Sequence, residues 1–488
     1  MDFNSLIFLG FFAAVAVLTY CVPKRIKPYF LLAASYLFYL YKPENARLIW
    51  VLICATLLSW AGGILLGSSR IHNLWLRRGI LLVNILFCGF CLFQYKYYDF
   101  FTTLWSDLVK GFGGEFHPKS LNIIAPLGLS YFLFQSMGYL FDVYRHKQKP
   151  ILNLAYYALF VSFFPCIFTG PIERAHHLVP QFFHPQPFQY QRISGGAFRM
   201  LWGYFKKMVL ADGIGTFVGT IYANPEKAAG PYLLAASLLF SYQLYLDFSG
   251  CCDIAIGGAR ILGFELTENF QRPFAACNYG ELWRRWHISL SSWFRDYLYI
   301  PLGGNRCSVV RNSINTIVTF LVSGLWHGAS WGYIIWGTLN GVILVIGKQT
   351  HSIRHHLEPR NPLYHSLIVK HTIKRICVYL LFTACIVFFA ADLYGGNAFT
   401  VYSGLFQGWN LSASQLLQGF ADNGLPTAIL YVLVIGCTCV ELVEWRGPVA
   451  LWIRRQPAVV RWIIYYLLIL AILFFASFGK SAFIYQNY

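Results

Sequence analysis

INTIVTFLVSGLWHGASWGYIIWGTLNGVILVIG, residues 314–347, runs through the chain without a single Asp, Glu, Lys or Arg. A helix needs about 20 apolar residues to cross the hydrocarbon layer of a membrane, and this run is longer than that. The rest of the chain is similar, because 57% of its 488 residues are hydrophobic and only 12% are charged. Soluble domains carry about 25% charged residues. The composition predicts an all-α membrane protein and excludes a disordered chain, a coiled coil and a soluble disulfide scaffold.

Similar apolar runs recur along the whole chain, and we take each as a candidate membrane-spanning helix. With the run above, they are 5–22, 29–41, 48–67, 79–95, 121–144, 151–170, 198–221, 231–263, 314–347, 376–392, 426–443 and 462–479. The first is expected to be a retained helix and not a signal peptide. Only Met-Asp-Phe-Asn precedes it, and no small-residue cleavage pattern follows it.

The charges between the runs predict how the chain is oriented in the membrane. The first, third and fifth connections are basic, and the second and fourth are nearly neutral. The segments 348–375 and 446–461 are also basic, whereas 393–425 holds no Lys or Arg. Because cytoplasmic loops carry an excess of Lys and Arg, both termini are predicted to be extracytoplasmic. The net charge of +18 thus indicates membrane orientation, and no nucleic-acid partner is expected.

The middle of the chain, 171–312, does not fit simple spanning helices. It mixes prolines, tryptophans and charged residues between its apolar runs. Irregular backbone survives at membrane depth only where it is buried in protein or lines a water-filled cavity. We therefore expect interfacial and re-entrant helices here, forming a pocket on the cytoplasmic side.

His327 is the sole imidazole of the 314–347 run, in the sequence SGLWHGASW. An ionisable group inside an apolar run is expensive to insert and usually faces the interior of the bundle, so it is a hypothesis for a functional site. Gly324 and Gly328 on either side permit close approach by a neighbour or a substrate. The alternative is a neutral histidine that only bonds to another helix.

His287 lies in a different setting, ELWRRWHISLSSWFRDY at 281–297. If this segment is one helix, a single face carries its large apolar residues and the arginines lie toward other faces. The residues of the apolar face are Trp283, Trp286, Leu290 and Trp293, and the arginines are Arg284, Arg285 and Arg295. This pattern is typical of an amphipathic interfacial helix. His287 is then either a functional imidazole or an interfacial polar residue.

Asp247 and Asp253 interrupt another apolar run, and their six-residue separation does not place them on one helical face. A paired-carboxylate site is therefore not expected, and these residues should brace broken helices or pair with arginines. The chain contains no Gly-x-Ser-x-Gly, Walker or His-Glu-x-x-His motif. Many of the cysteines lie in or beside apolar runs without the spacing of a zinc site, so no metal is predicted.

Several motifs, in order along residues 120–345, resemble one family of enzymes. They are PLGLSYF from Pro126, DVYR from Asp142, TGPIER from Thr169, DFSG from Asp247, DIAIG from Asp253, ENFQRPF from Glu268, WRRWHISLS from Trp283, FRDYLYIPLGGNR from Phe294 and GLWHG from Gly324. Together they resemble bacterial membrane-bound O-acyltransferases, of the branch that includes the membrane subunit of alginate O-acetylation.

This resemblance implies a fold of about 11 to 12 transmembrane helices around a central tunnel, with re-entrant and interfacial segments. It implies N-terminal transmembrane helices at 1–120, a catalytic core at 121–347, and C-terminal helices with an extracytoplasmic tail at 348–488. His327 would be the catalytic residue, and His287 the second polar residue near the tunnel.

The resemblance also implies the substrates and partners. A cytoplasmic acyl thioester, acetyl-CoA above all, would bind near Arg284 and Arg295. The acyl group would pass to an extracytoplasmic transferase of the SGNH type and then to a polysaccharide, with membrane lipid around the protein. No permanently bound cofactor is expected.

The C-terminal residues FIYQNY, 483–488, are similar to an aromatic motif of some acyl-relay systems in this group, in which a tyrosine is proposed to carry the acyl group. Tyr485 would be that residue. The sequence departs from the motif at Gln486 and Tyr488. The alternative for Tyr485 is an aromatic anchor at the membrane interface.

Two rival functions remain open at this point. A glycan or lipid transporter could use the histidines as a proton relay, although paired repeats with interrupted helices in matching positions are not detected. The related transfer of D-alanine to teichoic acid is nearer, but the YIPLGGNR stretch and the aromatic tail resemble the O-acetylation branch more.

Overall fold

The computed structural model describes residues 1–117, 120, 123–167, 169–350, 366–445 and 447–476, and all regular secondary structure in these residues is helical. The all-α prediction is therefore confirmed. The helices divide between two compact units. The first comprises Met1–Ala197 and Ile254–Thr267, and the second comprises Phe198–Asp253 and the described residues from Glu268 onward. The domain boundaries implied by the resemblance stay a prediction.

The α-helices up to residue 262 belong to the first unit, to the second, or in the case of α9 and α11 to both. They are α1 Leu6–Cys21, α2 Lys27–Leu40, α3 Pro43–Gly67, α4 Leu74–Leu92, α5 Tyr98–Gly111, α6 Leu129–Tyr144, α7 Leu154–Ser162, α8 Ala175–Phe183, α9 Tyr190–Tyr204, α10 Asp212–Ala223 and α11 Gly230–Leu262.

The remaining α-helices all belong to the second unit. They are α12 Tyr279–Arg285, α13 Ile288–Phe294, α14 Val309–His327, α15 Trp331–Gln349, α16 Leu367–Tyr394, α17 Ala398–Gly404, α18 Ala413–Asp422, α19 Thr427–Trp445, α20 Val449–Arg454 and α21 Ala458–Phe475. Short π-helices at Phe93–Tyr97, Phe205–Ala211 and Arg295–Tyr299 continue α4, α9 and α13.

Within the described residues, four helical stretches are long and apolar enough to cross a membrane, namely Pro43–Gly67, Leu74–Gly111, Ile368–Tyr394 and Ala458–Phe475. A shorter apolar helix is Leu6–Cys21. Only 11% of the most apolar window of Ala458–Phe475 is buried within the protein. Apolar side chains left so exposed are those expected to face lipid.

The predicted run at 151–170 is not one spanning helix. Helix α7 ends at Ser162 after only nine residues, and at 1.5 Å per residue this covers about 14 Å. Pro165 follows three residues later and has no backbone N–H to continue the helix. A second apolar run, 314–347, forms two helices, α14 and α15, which meet at Gly328–Ser330.

Candidate active site

His327 is the last residue of α14, and its side chain is buried, with 3% of its surface exposed. Aromatic rings surround the imidazole. The ring centroids of Trp326, Trp336 and Phe389 lie 5.0, 5.1 and 5.5 Å from that of His327, all with edge-to-face geometry. The histidine is thus held in an apolar aromatic environment at the end of a helix.

Asp392, from α16, fixes the turn that follows His327. Its Oδ2 accepts hydrogen bonds from Ser330 Oγ and from the backbone N–H of Tyr333, the latter at 3.1 Å. Ser330 is the N-cap of α15, so the carboxylate lies at the positive end of that helix dipole. The chain direction after His327 is therefore anchored by a third helix.

Helices α14 and α15 pack closely because glycines face each other between them. A Cβ atom built on Gly337 would lie 3.0 Å from Gly324 Cα, and one on Gly341 would lie 2.9 Å from Ile317 Cα. Real Cβ atoms essentially never come closer than 3.0 Å to another heavy atom, and a Cβ on Gly337 would come closer than that to Phe320 O. The glycines are needed for this approach, which sets the position of His327 against Trp336.

His287 lies between α12 and α13 in a left-handed backbone conformation, with φ 43°. The interpretation of 281–297 as one amphipathic helix is therefore wrong, since α12 ends at Arg285 and α13 begins at Ile288. The four predicted apolar-face residues, Trp283, Trp286, Leu290 and Trp293, are nevertheless all buried. The break turns the His287 side chain into the protein.

The His287 imidazole is 2% exposed and packs edge-on against Phe248, with ring centroids 4.6 Å apart. Its Nδ1 lies 3.2 Å from Asn269 Oδ1. Burial disfavours the charged form and lowers the pKa of His287 to about 3. The imidazole is therefore neutral at cellular pH.

Both histidines line one cavity of about 1480 Å³ in the second unit. Arg284 and Arg295 line it too, so the structure brings together four of the five predicted site residues. The Arg295 side chain is 62% exposed, whereas both imidazoles are almost completely buried. The cavity thus extends from the surface of the unit to its buried histidines.

Among the described residues, the charged side chains of the cavity wall are all basic. Lys348 and Lys374 join the two arginines, and none of the described residues that line the cavity is Asp or Glu. The Lys348 ammonium donates to Asn312 Oδ1 at 2.5 Å. A cleft lined by one sign of charge with apolar walls focuses the electric field and attracts the opposite charge. Sequence reasoning missed both lysines, which the basic segment 348–375 could have suggested.

Asp247 and Asp253 lie on α11 and make buried ion pairs. Asp253 contacts Arg199 Nε at 2.8 Å, as expected for an arginine partner, and also Lys206 Nζ at 2.7 Å. Asp247 pairs with Lys207. These aspartates brace the end of α9 and its π-helical continuation against α11. Tyr485 lies outside the described residues.

A family model for the membrane-bound O-acyltransferase family matches residues 93–391, which is more than half of the chain and includes the cavity residues. The chain belongs to this family. It is therefore a membrane O-acyltransferase, as the sequence motifs indicated.

Curated relatives of this O-acyltransferase are named for different polymers. A probable alginate O-acetylase of Azotobacter vinelandii is 36% identical over 71% of this chain and 69% of its own length. The peptidoglycan O-acetyltransferase of Helicobacter pylori is 31% identical over 100% of this chain and 97% of its own length. The teichoic acid D-alanyltransferase of Bacillus subtilis is 31% identical over 47% of this chain and 60% of its own.

Proposed function

We propose that this O-acyltransferase takes an acetyl group from acetyl-CoA in the cytoplasm and delivers it for O-acetylation of an extracytoplasmic polysaccharide. The observation that carries the proposal is the cavity with four cationic side chains, no acidic one among its described lining, and two buried imidazoles. CoA is large and polyanionic, whereas the acetyl group that it carries is small and neutral. The charges would hold the carrier while the acyl end reaches the histidines.

The size of the cavity supports a donor of this kind. Pockets for drug-sized ligands measure about 300–1,000 Å³. The cavity here has about 1480 Å³ and so offers room for a nucleotide-containing carrier. In this proposal Arg284 and Arg295, both exposed on the side chain, bind the phosphates of the donor.

His327 acts as the general base in this reaction. As the acceptor hydroxyl oxygen attacks the thioester carbon, the imidazole takes the hydroxyl proton. The carbon–sulfur bond then breaks, and the imidazolium returns that proton to the leaving thiolate, so that the ester and free CoA thiol are formed. General-base assistance is typically worth ~10²–10⁴-fold in rate. Alignment of donor and acceptor in the cavity supplies much of the remainder.

The proposed acceptor is inferred from the names of the relatives. The Helicobacter pylori relative, which covers the whole chain, is named for peptidoglycan, and the Azotobacter vinelandii relative for alginate. We propose a bacterial inner-membrane location, an SGNH-type extracytoplasmic transferase as partner, and Tyr485 as the residue that carries the acyl group outward. Moving only the neutral acyl group avoids carrying charge across the bilayer.

D-Alanyl transfer to teichoic acid is the second candidate, because a relative with that name shares 31% identity over 47% of the chain. The two functions differ in the donor. An acetyl donor would be a CoA thioester, and a D-alanyl donor would be a thioester on a carrier protein. The cavity cysteines provide a direct way to distinguish them.

The test is cysteine footprinting combined with an activity assay on the purified protein. Cys277 and Cys377 line the cavity, and Cys21 is an exposed cysteine that does not. CoA should protect the two cavity thiols from alkylation and leave Cys21 reactive. His327→Ala should lower acetyl-CoA consumption by ~10²–10⁴-fold, while the control His72→Ala, on an exposed histidine, should not.

Two results would overturn the proposal. One is a cavity that free CoA does not protect but an acyl carrier protein does, which would favour D-alanyl transfer. The other is wild-type acetyl-CoA consumption by a folded His327→Ala protein. The relay is tested separately by Tyr485→Phe, which should abolish glycan acetylation in cells while acetyl-CoA binding remains.

A further inference from the structure

The residues before α12 form a short pairing with the segment that carries His287. The N–H of Gln271 donates to Arg285 O at 3.0 Å, and the N–H of Ile288 donates to Asn269 O at 2.9 Å. These two backbone hydrogen bonds place Asn269, which is completely buried, directly beside the His287 ring. The left-handed backbone conformation at His287 is thus stabilised by the segment that contains Asn269.

One atom of Asn269 collects three hydrogen bonds from this segment. Asn269 Oδ1 lies 3.1 Å from the backbone N of Ser289, 3.0 Å from Ser289 Oγ and 3.2 Å from His287 Nδ1. A backbone N–H can only donate, so the atom that faces it must be the carbonyl oxygen of the amide and not its nitrogen. The amide orientation is therefore fixed by the Ser289 backbone.

The contact of the amide nitrogen supports the same orientation. Asn269 Nδ2 donates to Cys252 Sγ on α11 at 3.3 Å. The side chain is therefore tied at its oxygen to the His287 segment and at its nitrogen to α11. Such an amide cannot rotate without losing hydrogen bonds in a fully buried position, where an unsatisfied polar group is strongly unfavourable.

The fixed carbonyl decides where the proton of His287 lies. An oxygen acceptor at 3.2 Å requires a donor, so His287 Nδ1 carries the hydrogen and Nε2 of the neutral ring carries the lone pair. We infer that Asn269 is a positioning residue, which holds His287 in the Nδ1-protonated tautomer and so makes this imidazole a proton acceptor through Nε2.

This tautomer limits what His287 can do for the reaction. A neutral ring with its hydrogen on Nδ1 cannot donate a hydrogen bond from Nε2, so it does not stabilise the oxyanion that forms on the thioester. It can accept a hydrogen bond or a proton from a hydroxyl or thiol. This use of His287 in catalysis rests on the proposed function, whereas the tautomer rests on the hydrogen bonds alone. Burial keeps the ring neutral, in agreement with the lowered pKa.

The experiment is nitrogen NMR of the full-length protein labelled with ¹⁵N-histidine in lipid nanodiscs, with the signal of His287 assigned by its loss in His287→Gln. We expect the pattern of a neutral ring protonated on Nδ1. Asn269→Leu, which removes the acceptor, should give a mixture of tautomers or the Nε2-protonated form. Asn269→Asp keeps an oxygen acceptor at this position and should keep the hydrogen on His287 Nδ1.

Activity provides the second readout. Asn269→Leu should lower turnover by at least ~10-fold, toward the ~10²–10⁴-fold that proton-transfer assistance supplies, and Asn269→Asp should recover part of it. Thr383→Val is a matched control. It breaks another buried polar contact of the same unit, between Thr383 Oγ1 and Ser241 Oγ at 2.8 Å, and should leave the His287 signal unchanged.

An Nε2-protonated ring in the wild type, or a His287 signal that Asn269→Leu does not change, would overturn the inference. The tautomer is measured without substrate. If the acetyl donor proves wrong but the Nδ1-protonated pattern is present, the proposed function fails and the positioning role of Asn269 stands. If the donor is confirmed but the tautomer is the other one, only the inference fails.

Discussion

At the scale of single residues, a feature with a high desolvation cost is a buried lysine between two carboxylates. Lys207 is 1% exposed on its side chain and pairs with Asp247, itself 2% exposed, and with Asp212 at 2.8 Å. Taking charges out of water is expensive, and the ion pairs with both carboxylates offset the cost of burying the Lys207 ammonium. The pairing links the π-helical continuation of α9 to α11 and α10.

Lys207→Met should therefore destabilise the protein strongly. It leaves Asp247 without its lysine partner in a buried position, and breaking a buried pair by removing one member typically costs about 3–5 kcal/mol. The measurement is the free energy of unfolding by denaturant in detergent micelles. Lys24→Met, on an exposed lysine, is the control and should change stability little.

The double variant Lys207→Met with Asp247→Leu checks the reason for this loss. Because it removes both members of the closest pair, it should recover part of the stability lost in the single variant. A Lys207→Met protein as stable as the wild type would show that the lysine is not the compensating charge.

Sequence reasoning identified some of these residues and missed others. His327 stood out because it is the sole imidazole of a long apolar run that holds no Asp, Glu, Lys or Arg, a signal that needs no structure. Lys206 and Lys207 lie together in the run 198–221, but their partners Asp253 and Asp247 lie 47 and 40 residues further along the chain. Asn269 lies within the ENFQRPF motif, but no role was predicted for it, since a neutral amide becomes informative only when the groups around it are known.

At the scale of elements, the turn between α14 and α15 determines where His327 lies. Asp392 anchors the start of α15, and facing glycines let the two helices approach closely. Neither contact touches the reacting groups directly. The position of the imidazole therefore depends on packing several residues away from it.

Gly337→Ala should lower both stability and activity. The added Cβ would lie 3.0 Å from Gly324 Cα, and overpacking of this kind typically costs about 1–3 kcal/mol. Because a ~1 Å displacement of a reacting group can cost ~10²-fold in rate, we expect a clear loss of acetyl-CoA turnover. The measurements are thermal unfolding in detergent and the initial rate.

Gly89→Ala is the matched control, since Gly89 lies in α4 with no heavy atom within 4 Å of its Cβ position. Alanine favours a helix over glycine by about 1 kcal/mol, so this variant should be neutral or slightly stabilising. Equal effects of the two substitutions would show that the contact between α14 and α15 is not specific.

Two of the helical segments show what hydropathy alone does not predict, namely where a helix breaks. The run 314–347 was recognised as apolar, but hydropathy does not register the break at Gly328–Ser330, which separates α14 from α15. The helical spacing at 281–297 identified the buried tryptophans correctly although no continuous helix exists there. Burial followed from residue type, whereas the left-handed turn at His287 depends on its contacts with Asn269.

At the scale of the whole molecule, the family and the all-α membrane character followed from composition and motifs. The orientation stays a prediction from the distribution of Lys and Arg. It matters for function, because a donor made in the cytoplasm needs the basic cavity to open there. Arg284 and Lys374 should then lie near the cytoplasmic face.

Alkaline phosphatase fusions test this orientation, since the enzyme is active only outside the cytoplasm. A fusion within 393–425, which contains no Lys or Arg, should be active, and one within the basic segment 348–375 should be inactive. A fluorescent protein that requires the cytoplasm should give the opposite pattern at the same two positions. Active phosphatase at 348–375 would reverse the proposed direction of acyl transfer.

The one-signed lining of the cavity has a consequence for regulation if CoA is the donor. The four cationic side chains would bind the phosphates of CoA. These phosphates are the same whether or not the thiol bears an acetyl group. Free CoA would therefore bind with nearly the same affinity as acetyl-CoA and compete with it for the cavity. The rate of glycan decoration would then follow the ratio of acetylated to free coenzyme in the cell, so that envelope modification slows when carbon metabolism falls.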